Sequence, residues 1–182
     1  MTRSAARILD EYLVAAARTG DRKALEMLAE RWNRKLIAHA WRVTGHRDLA
    51  LDAAQAGWVE ILRSLPRLQD DRTFPAWAYR IVSRRCSRQI NAIVRDRRLA
   101  EAAAEEVPAA ALAGADSTLD QQRLASAIAA LPADQRSAVA LFYLEEMSVA
   151  QVAVALEIPA GTVKTRLLHA RRKLRLALEG EN

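Results

Sequence analysis

Cysteine is almost absent from this sequence, since Cys86 is the only one among 182 residues. A single thiol excludes an internal disulfide framework. Histidine is nearly as scarce, with three residues in the whole chain. A structural zinc site usually needs about four Cys or His ligands at regular spacing. We therefore expect no metal site and no cofactor.

Glycine, proline and aromatic residues are also few, with 6 Gly, 5 Pro and an aromatic fraction of 5%. Abundant Ala, Leu and Arg favour helices over strands, so the composition predicts an all-α protein. No apolar run approaches the roughly 20 residues that a membrane-spanning helix needs. The N-terminal stretch MTRSAARILDEYL has no long apolar run either. A cytoplasmic location without membrane insertion is therefore expected.

Catalytic patterns are missing as well. The sequence contains no Gly-rich phosphate-binding loop and no nucleophile and base at a convincing spacing. These absences predict a binding protein and not an enzyme.

Positive charge is abundant but unevenly distributed. The net charge is +6, yet residues 1–98 carry 20 Lys and Arg against 11 Asp and Glu, whereas residues 99–124 carry one against five. The stretch 99–118, rich in Ala and acid, is typical of a flexible linker. The sequence thus predicts two small helical domains, 1–98 and 119–182, and the basic excess favours a polyanionic partner.

Four helices are predicted in the first domain. The first should stop at Gly20, the second should begin after Asp21 and end at Gly45, and the third should end before Pro66. The fourth should begin near Thr73 and extend past Val94. On the third helix the expected inner face consists of Leu51, Ala54, Trp58, Ile61, Leu62 and Leu65.

The second domain should end in a helix-turn-helix. Helices are predicted over 119–131 and 133–145, and Ser148 with Gln151 forms a capping-box pattern that begins the next helix. Pro159 and Gly161 mark the turn into the last helix. Such a pair of short helices is a common DNA-binding motif, in which the second helix enters the major groove.

The outer face of the last helix is rich in hydrogen-bond donors, and no acid lies between Glu157 and Glu179. Residues near its start should read base edges, and those further along should grip phosphates. The candidate DNA-binding residues are Thr162, Lys164, Thr165, Arg166, His169, Arg171, Arg172 and Lys173.

The segment LPADQRSAVALFYLEEMSVAQVAVALEIPAGTVKTRLLHARRKLR resembles region 4 of bacterial sigma factors of the extracytoplasmic-function group. The resemblance implies that this domain reads the promoter -35 element. Gln151 and Glu157 stand where Glu and Gly are commoner, and His169 stands where Arg is usual. These departures concern the preferred DNA sequence and not the role.

The third helix has a mixed polar and apolar outer face, which suits docking to a partner helix. LDAAQAGWVEILRSL is similar to sigma region 2.2, which implies contact with the clamp helices of the largest subunit of core RNA polymerase. Ala56 stands where an acid usually follows the Gln. The candidate polymerase-binding residues are Asp52, Gln55, Ala56, Val59 and Arg63.

Aromatic and Arg side chains interleave on the fourth helix, a combination that suits stacking on bases and holding a strand. TFPAWAYRIVSRR resembles sigma regions 2.3 and 2.4, which implies opening of the -10 element and capture of an unstacked base near Phe74. Arg84 and Arg88 replace a commonly seen Asn and Asp. The candidate residues for the -10 element are Phe74, Trp77, Arg80, Arg84, Arg85 and Arg88.

Together these resemblances predict a sigma factor that binds core RNA polymerase and promoter DNA, with an anti-sigma factor as a further partner implied by the family. Two rival hypotheses remain at this point. One is a sigma mimic that sequesters an anti-sigma factor, suggested by the altered residues Ala56, Arg84 and Arg88. The other is an autonomous helix-turn-helix regulator, which would need a ligand-binding or dimerisation domain.

Overall fold

A computed structural model describes residues 5–99 and 119–179. These residues form eight α-helices and no strand, which confirms the all-α prediction. The predicted linker lies, apart from Leu99, outside the described residues. Within the described part of the chain, no helix is both long and apolar enough to cross a membrane. The helices are α1 Ala5–Arg18, α2 Arg22–Thr44, α3 Arg47–Ser64, α4 Phe74–Leu99, α5 Leu119–Ala129, α6 Ala133–Val139, α7 Val149–Leu156 and α8 Ala160–Glu179.

The predicted helix ends are largely confirmed by their caps. The Asp21 carboxylate accepts a hydrogen bond from the Ala24 amide at 3.1 Å and so begins α2. Gly45 ends this helix in the left-handed conformation, with φ 72. At the start of α7, Ser148 and Gln151 form both bonds of a capping box. Each of these contacts gives a partner to backbone groups that a helix end leaves free.

The helices α1 to α4 pack around one apolar centre. α2 contributes an apolar stripe to this centre, in which Leu28, Trp32 and Leu36 are buried. Phe74 and Tyr79 from α4 meet the Trp32 ring edge-on, with ring centroids 5.2 and 5.7 Å away. This aromatic group fixes the start of α4 against α2, and with it the direction of the basic face of α4.

The inner face predicted for α3 is wrong at two positions, since Leu51 and Leu62 are 40% and 45% exposed. Small residues line the contact with α4 instead. A Cβ atom on Gly57 would lie 2.8 Å from Cγ2 of Val82, so the absent side chain allows the two helices to approach closely. α3 is consequently rotated about its axis relative to the predicted orientation, and Leu51 and Leu62 face outward. The buried residues of α3 are Ala50, Ala53, Ala54, Gly57 and Ile61.

The helix predicted over 133–145 extends to Leu144 but changes type along its length. α6 ends at Val139 and continues into a wider π-helical turn, Ala140–Leu144, which ends with the Glu145 amide donating to the Ala140 carbonyl at 3.1 Å. The extra residue in this turn leads the chain into α7. α7 and α8 then form the predicted helix-turn-helix, held by buried Val152, Val163 and Leu167.

The two helical blocks pack directly against each other, α4 along α7 and α2 along α6. Lys35 Nζ of the first block lies 3.0 Å from Glu145 Oε2 of the second. The Arg136 guanidinium of α6 donates to the Arg42 carbonyl at 3.1 Å. The domain bounds inferred from the sequence stay a prediction, because contacts between the blocks join the described residues into one packed body.

Candidate nucleic-acid interface

The structure brings the predicted -35 residues together on one side of α8. Val163, Leu167 and Ala170 face inward and are buried, which turns the opposite side of the helix to solvent. Thr162 and Arg166 are half-buried at the margin of this surface. The exposed members are Lys164, Thr165, His169, Arg171, Arg172 and Lys173. A helix that presents donors and cations in this way can follow a groove of duplex DNA.

Three residues of the α8 surface already have partners within the protein. Arg166 Nε lies 3.3 Å from the Asp134 carboxylate of α6. The hydroxyl of Thr165 donates to the Gly161 carbonyl at 3.1 Å, and Arg171 Nε donates to the Leu167 carbonyl at 3.3 Å. DNA would therefore compete with Asp134 for Arg166.

Three of the four predicted arginines of α4 are engaged by acids from other parts of the chain. Arg84 Nη2 donates to Glu157 Oε1 at 2.5 Å, and Arg80 Nε lies 4.0 Å from the same oxygen. Arg85 pairs with Glu60 of α3, while Arg88 is exposed. The structure thus places the four predicted arginines on α4, but three of them contact carboxylates in this arrangement.

The pair formed by Arg84 and Glu157 perturbs both groups. The hydrogen bond from Arg84 holds the pKa of the Glu157 carboxyl below its usual value, with further lowering by the charges of Arg84, Arg80 and Arg88. The same hydrogen bond raises the pKa of Arg84. Both side chains are therefore charged at neutral pH.

The two aromatic residues predicted for the -10 element lie at different depths. Phe74 is 0% exposed and belongs to the aromatic centre of the first block. Trp77 is half-buried, with its ring centroid 6.0 Å from that of Phe74. In this arrangement the ring of Phe74 offers no surface to a base, and contact with DNA would require it to leave the core. Trp77 keeps part of its surface exposed and lies three positions before Arg80 on α4.

The outer face of α3 carries the predicted polymerase-binding residues together. Asp52, Gln55 and Arg63 are exposed, Val59 is 44% exposed and Ala56 is half-buried. Sequence reasoning missed Leu51 and Leu62, which border this face and are exposed because small residues fill the α3–α4 contact. The resulting surface combines apolar and polar side chains, as protein interfaces commonly do.

No grouping of His, Cys, Asp or Glu suited to a metal ion occurs within residues 5–99 and 119–179. Cys86 is buried, and burial raises the pKa of its thiol to about 12. A thiol held neutral in this way is a poor nucleophile and a poor metal ligand.

Comparisons with known proteins agree with this geometry. The family model described as sigma-70 region 2 matches residues 28–98, and the model described as sigma-70, region 4 matches residues 121–174. The RNA polymerase sigma-H factor of Pseudomonas aeruginosa is 25% identical, covering 93% of this chain and 94% of that protein. The ECF RNA polymerase sigma-E factor of Haemophilus influenzae is 28% identical, with coverage of 93% and 95%.

Solved structures show the same fold. The sigma factor RpoE from Bartonella quintana, in complex with the anti-sigma factor NepR, aligns with a TM-score of 0.73 at 22% identity, covering 88% of this chain and 99% of that chain. CnrH in complex with the cytosolic domain of CnrY aligns with a TM-score of 0.64 at 24% identity, with coverage of 96% and 99%. Both alignments span the two helical blocks.

Proposed function

The chain belongs to the extracytoplasmic-function group of the sigma-70 family, and from this premise we propose how its surfaces divide the work of promoter recognition. The outer face of α8 binds the -35 element, the basic face of α4 binds the -10 element, and the outer face of α3 docks on core RNA polymerase. The observation that carries this proposal is the grouping of the predicted residues on the outer faces of α8 and α3, together with the partly or fully exposed Trp77, Arg80, Arg84 and Arg88 on α4.

In this proposal the protein acts in the cytoplasm by binding core polymerase and promoter DNA, and it catalyses no reaction of its own. Two DNA contacts of modest affinity act jointly when both promoter elements lie at the right distance. Opening of the -10 element draws on the binding of an extruded base and of the displaced strand, which offsets an unpairing cost of a few kcal/mol.

We also infer an anti-sigma factor as a regulatory partner. This inference is supported by the fold that the chain shares with RpoE of Bartonella quintana, which was solved in complex with the anti-sigma factor NepR. A contact of this kind would compete with polymerase or promoter DNA for the surfaces assigned above.

Run-off transcription with purified core polymerase over a library of promoters tests the proposal. Active initiation from a subset of promoters is expected, and it would reject both a sigma mimic and a regulator that acts without polymerase. Arg166→Ala should lower the use of promoters selected for their -35 element by about tenfold, as loss of one base contact costs roughly 1–3 kcal/mol. The double variant Asp52→Ala and Gln55→Ala should instead weaken core binding at every promoter.

Matched variants separate these effects from general charge effects. Arg175→Ala removes a cation near the end of α8 that pairs with Glu179, and it should preserve promoter choice. Lys23→Ala with Glu26→Ala changes an exposed part of α2 and should preserve core binding. Equal promoter activity in all four proteins would refute the assigned roles.

A further inference from the structure

One acidic side chain of the helix-turn-helix reaches the basic face of α4. Glu157 follows α7, which packs along α4. Its Oε1 atom lies 2.5 Å from Arg84 Nη2 and 4.0 Å from Arg80 Nε. A single carboxylate of the second block thus contacts two arginines that we assign to the -10 element. We call this contact the Glu157 latch.

The backbone of Glu157 gives a reason to regard this contact as more than incidental. Glu157 has φ 54 and ψ 43, the left-handed conformation that ends α7. Residues with a Cβ atom adopt this conformation at a cost in free energy, whereas glycine does not. Gly45 occupies the equivalent position after α2. The carboxylate of Glu157 makes a contact with Arg84 that a glycine could not make.

The latch is open to exchange with other anions. The side chains of Arg84 and Glu157 remain 38% and 42% exposed, so solvent and a competing ligand can reach them. A phosphate oxygen offers a guanidinium the same kind of charged hydrogen bond as a carboxylate oxygen. The hydrogen bond from Arg84 also lowers the pKa of Glu157, which keeps the carboxylate charged at neutral pH.

The rest of the contact between the blocks also contains polar groups. Lys35 and Glu145 form an ion pair whose lysine is 45% exposed. Among the described residues Arg42 Nη1 is buried and has no hydrogen-bond partner, and burial lowers the pKa of this guanidinium. Buried donors without partners make an interface less stable than an apolar one. The unpaired donor of Arg42 makes the contact between the blocks less stable. The Glu157 latch is one of the ion pairs that hold the blocks together, and a competing anion can replace its carboxylate.

We propose that Glu157 is an internal competitor for nucleic-acid phosphate, which holds Arg80 and Arg84 in the free chain and must release them before α4 can bind the -10 strand. This inference rests on the proposed function of the α4 face. It assigns a regulatory role to the packed arrangement of the two blocks, since the Glu157 carboxylate has to release the arginines before they can bind phosphate.

Fluorescence anisotropy of the free full-length chain with a labelled 12-nucleotide single strand of DNA tests this inference. Glu157→Gln keeps the size of the side chain and removes its charge. It should raise affinity roughly two- to fivefold, the range that follows from the strength of exposed ion pairs. Glu26→Gln is the matched control, because it also removes one negative charge from an exposed ion pair, Arg22–Glu26, on α2.

A double substitution distinguishes release of Arg84 by Glu157 from a general change in charge. In a chain that carries Arg84→Ala, the added Glu157→Gln substitution should have a much smaller effect. An equal gain from Glu157→Gln and Glu26→Gln would overturn the latch, as would an undiminished gain in the Arg84→Ala background.

A measurement on the complete polymerase complex separates failure of the latch from failure of the proposed function. With core polymerase and a promoter, Arg84→Ala should reduce open-complex formation, because α4 then lacks a contact to the strand. No reduction would refute the assignment of α4 and the latch with it. A reduction, together with no gain from Glu157→Gln in the free chain, would refute the latch alone.

Discussion

The two basic helices of this protein differ in what lies against them. On α8, Lys164, Arg172 and Lys173 are exposed along a face turned to solvent. On α4, Arg84 and Arg85 are held by Glu157 and Glu60. Both helices read as DNA-binding in the sequence. The number of cations on a helix therefore does not tell how many are available to DNA, because acids distant in sequence can pair with them.

Removal of cations from each helix in turn tests whether those of α8 are more available to DNA than those of α4. Arg172→Ala with Lys173→Ala should lower the affinity of the free chain for a 30-base-pair duplex by about tenfold to hundredfold at low salt, and reduce the salt slope by about 2, since each lost phosphate contact releases about one fewer counterion. Arg80→Ala with Arg84→Ala should lower it by less than about threefold, because these arginines are already engaged. Anisotropy titrations over a range of salt concentrations measure both quantities.

Arg22→Ala with Lys23→Ala provides the control for net charge. These residues lie on an exposed part of α2 and belong to neither candidate DNA-binding set, and their loss should change duplex affinity only slightly. Equal losses of duplex affinity from the α4 and α8 substitutions would show that the arginines of α4 are as available as the cations of α8. The pairing of Arg80 and Arg84 with Glu157 would then have no effect on DNA binding.

Two histidines, one buried on α2 and one exposed on α8, should differ in their effect on the pH dependence of stability. His39 of α2 is 0% exposed, with Nε2 2.8 Å from the Ser83 hydroxyl of α4, and burial together with the Arg42 charge lowers its pKa to about 3. The unfolded chain has an ordinary imidazole pKa of about 6.5 and takes up a proton below that value, while the folded chain does not. Stability should therefore fall as pH drops from 6.5 towards 3, with His39 contributing a loss of about 2 kcal/mol between pH 7 and pH 5.

Denaturant unfolding at pH 7 and pH 5 measures this loss. His39→Gln should reduce the difference between the two pH values, whatever its effect on absolute stability. His169→Gln, on the exposed face of α8, should leave the difference unchanged. A pH dependence that is the same in His39→Gln and in the unaltered chain would show that His39 does not titrate on unfolding.

Local features of the fold could be predicted from the sequence because their causes are local. Asp21, Gly45 and the Ser148–Gln151 capping box each act on backbone groups within a few residues. The outer face of α8 follows from the spacing of Val163 and Leu167, which are both buried. A 3.6-residue period assigns the faces of a helix when the inward residues are large.

Features that depend on distant contacts could not be predicted in the same way. Leu51 and Leu62 were assigned to the core because large apolar residues usually are, but the closest contact of α3 is made by glycine and alanine. Arg84 and Glu157 each departed from the pattern that the sequence resembles, and 73 positions separate them. The contact between Arg84 and Glu157 is visible only in the folded chain.

A pair of glycines gives the smallest expected effect and compares how tightly the two regions are packed. Gly57→Ala places a Cβ atom 2.8 Å from Val82 Cγ2 at the α3–α4 contact, and Val has little freedom to move away. The strain of roughly 1–3 kcal/mol exceeds the gain of about 1 kcal/mol in helix propensity, so a net loss of about 1 kcal/mol is expected. A Cβ atom on Gly161 of α8 meets no other described residue within 4 Å, so Gly161→Ala should stabilise the chain slightly. Denaturant unfolding measures both changes. A stabilised Gly57→Ala variant would show that the α3–α4 contact yields easily, and that the outward rotation of Leu51 and Leu62 has another cause.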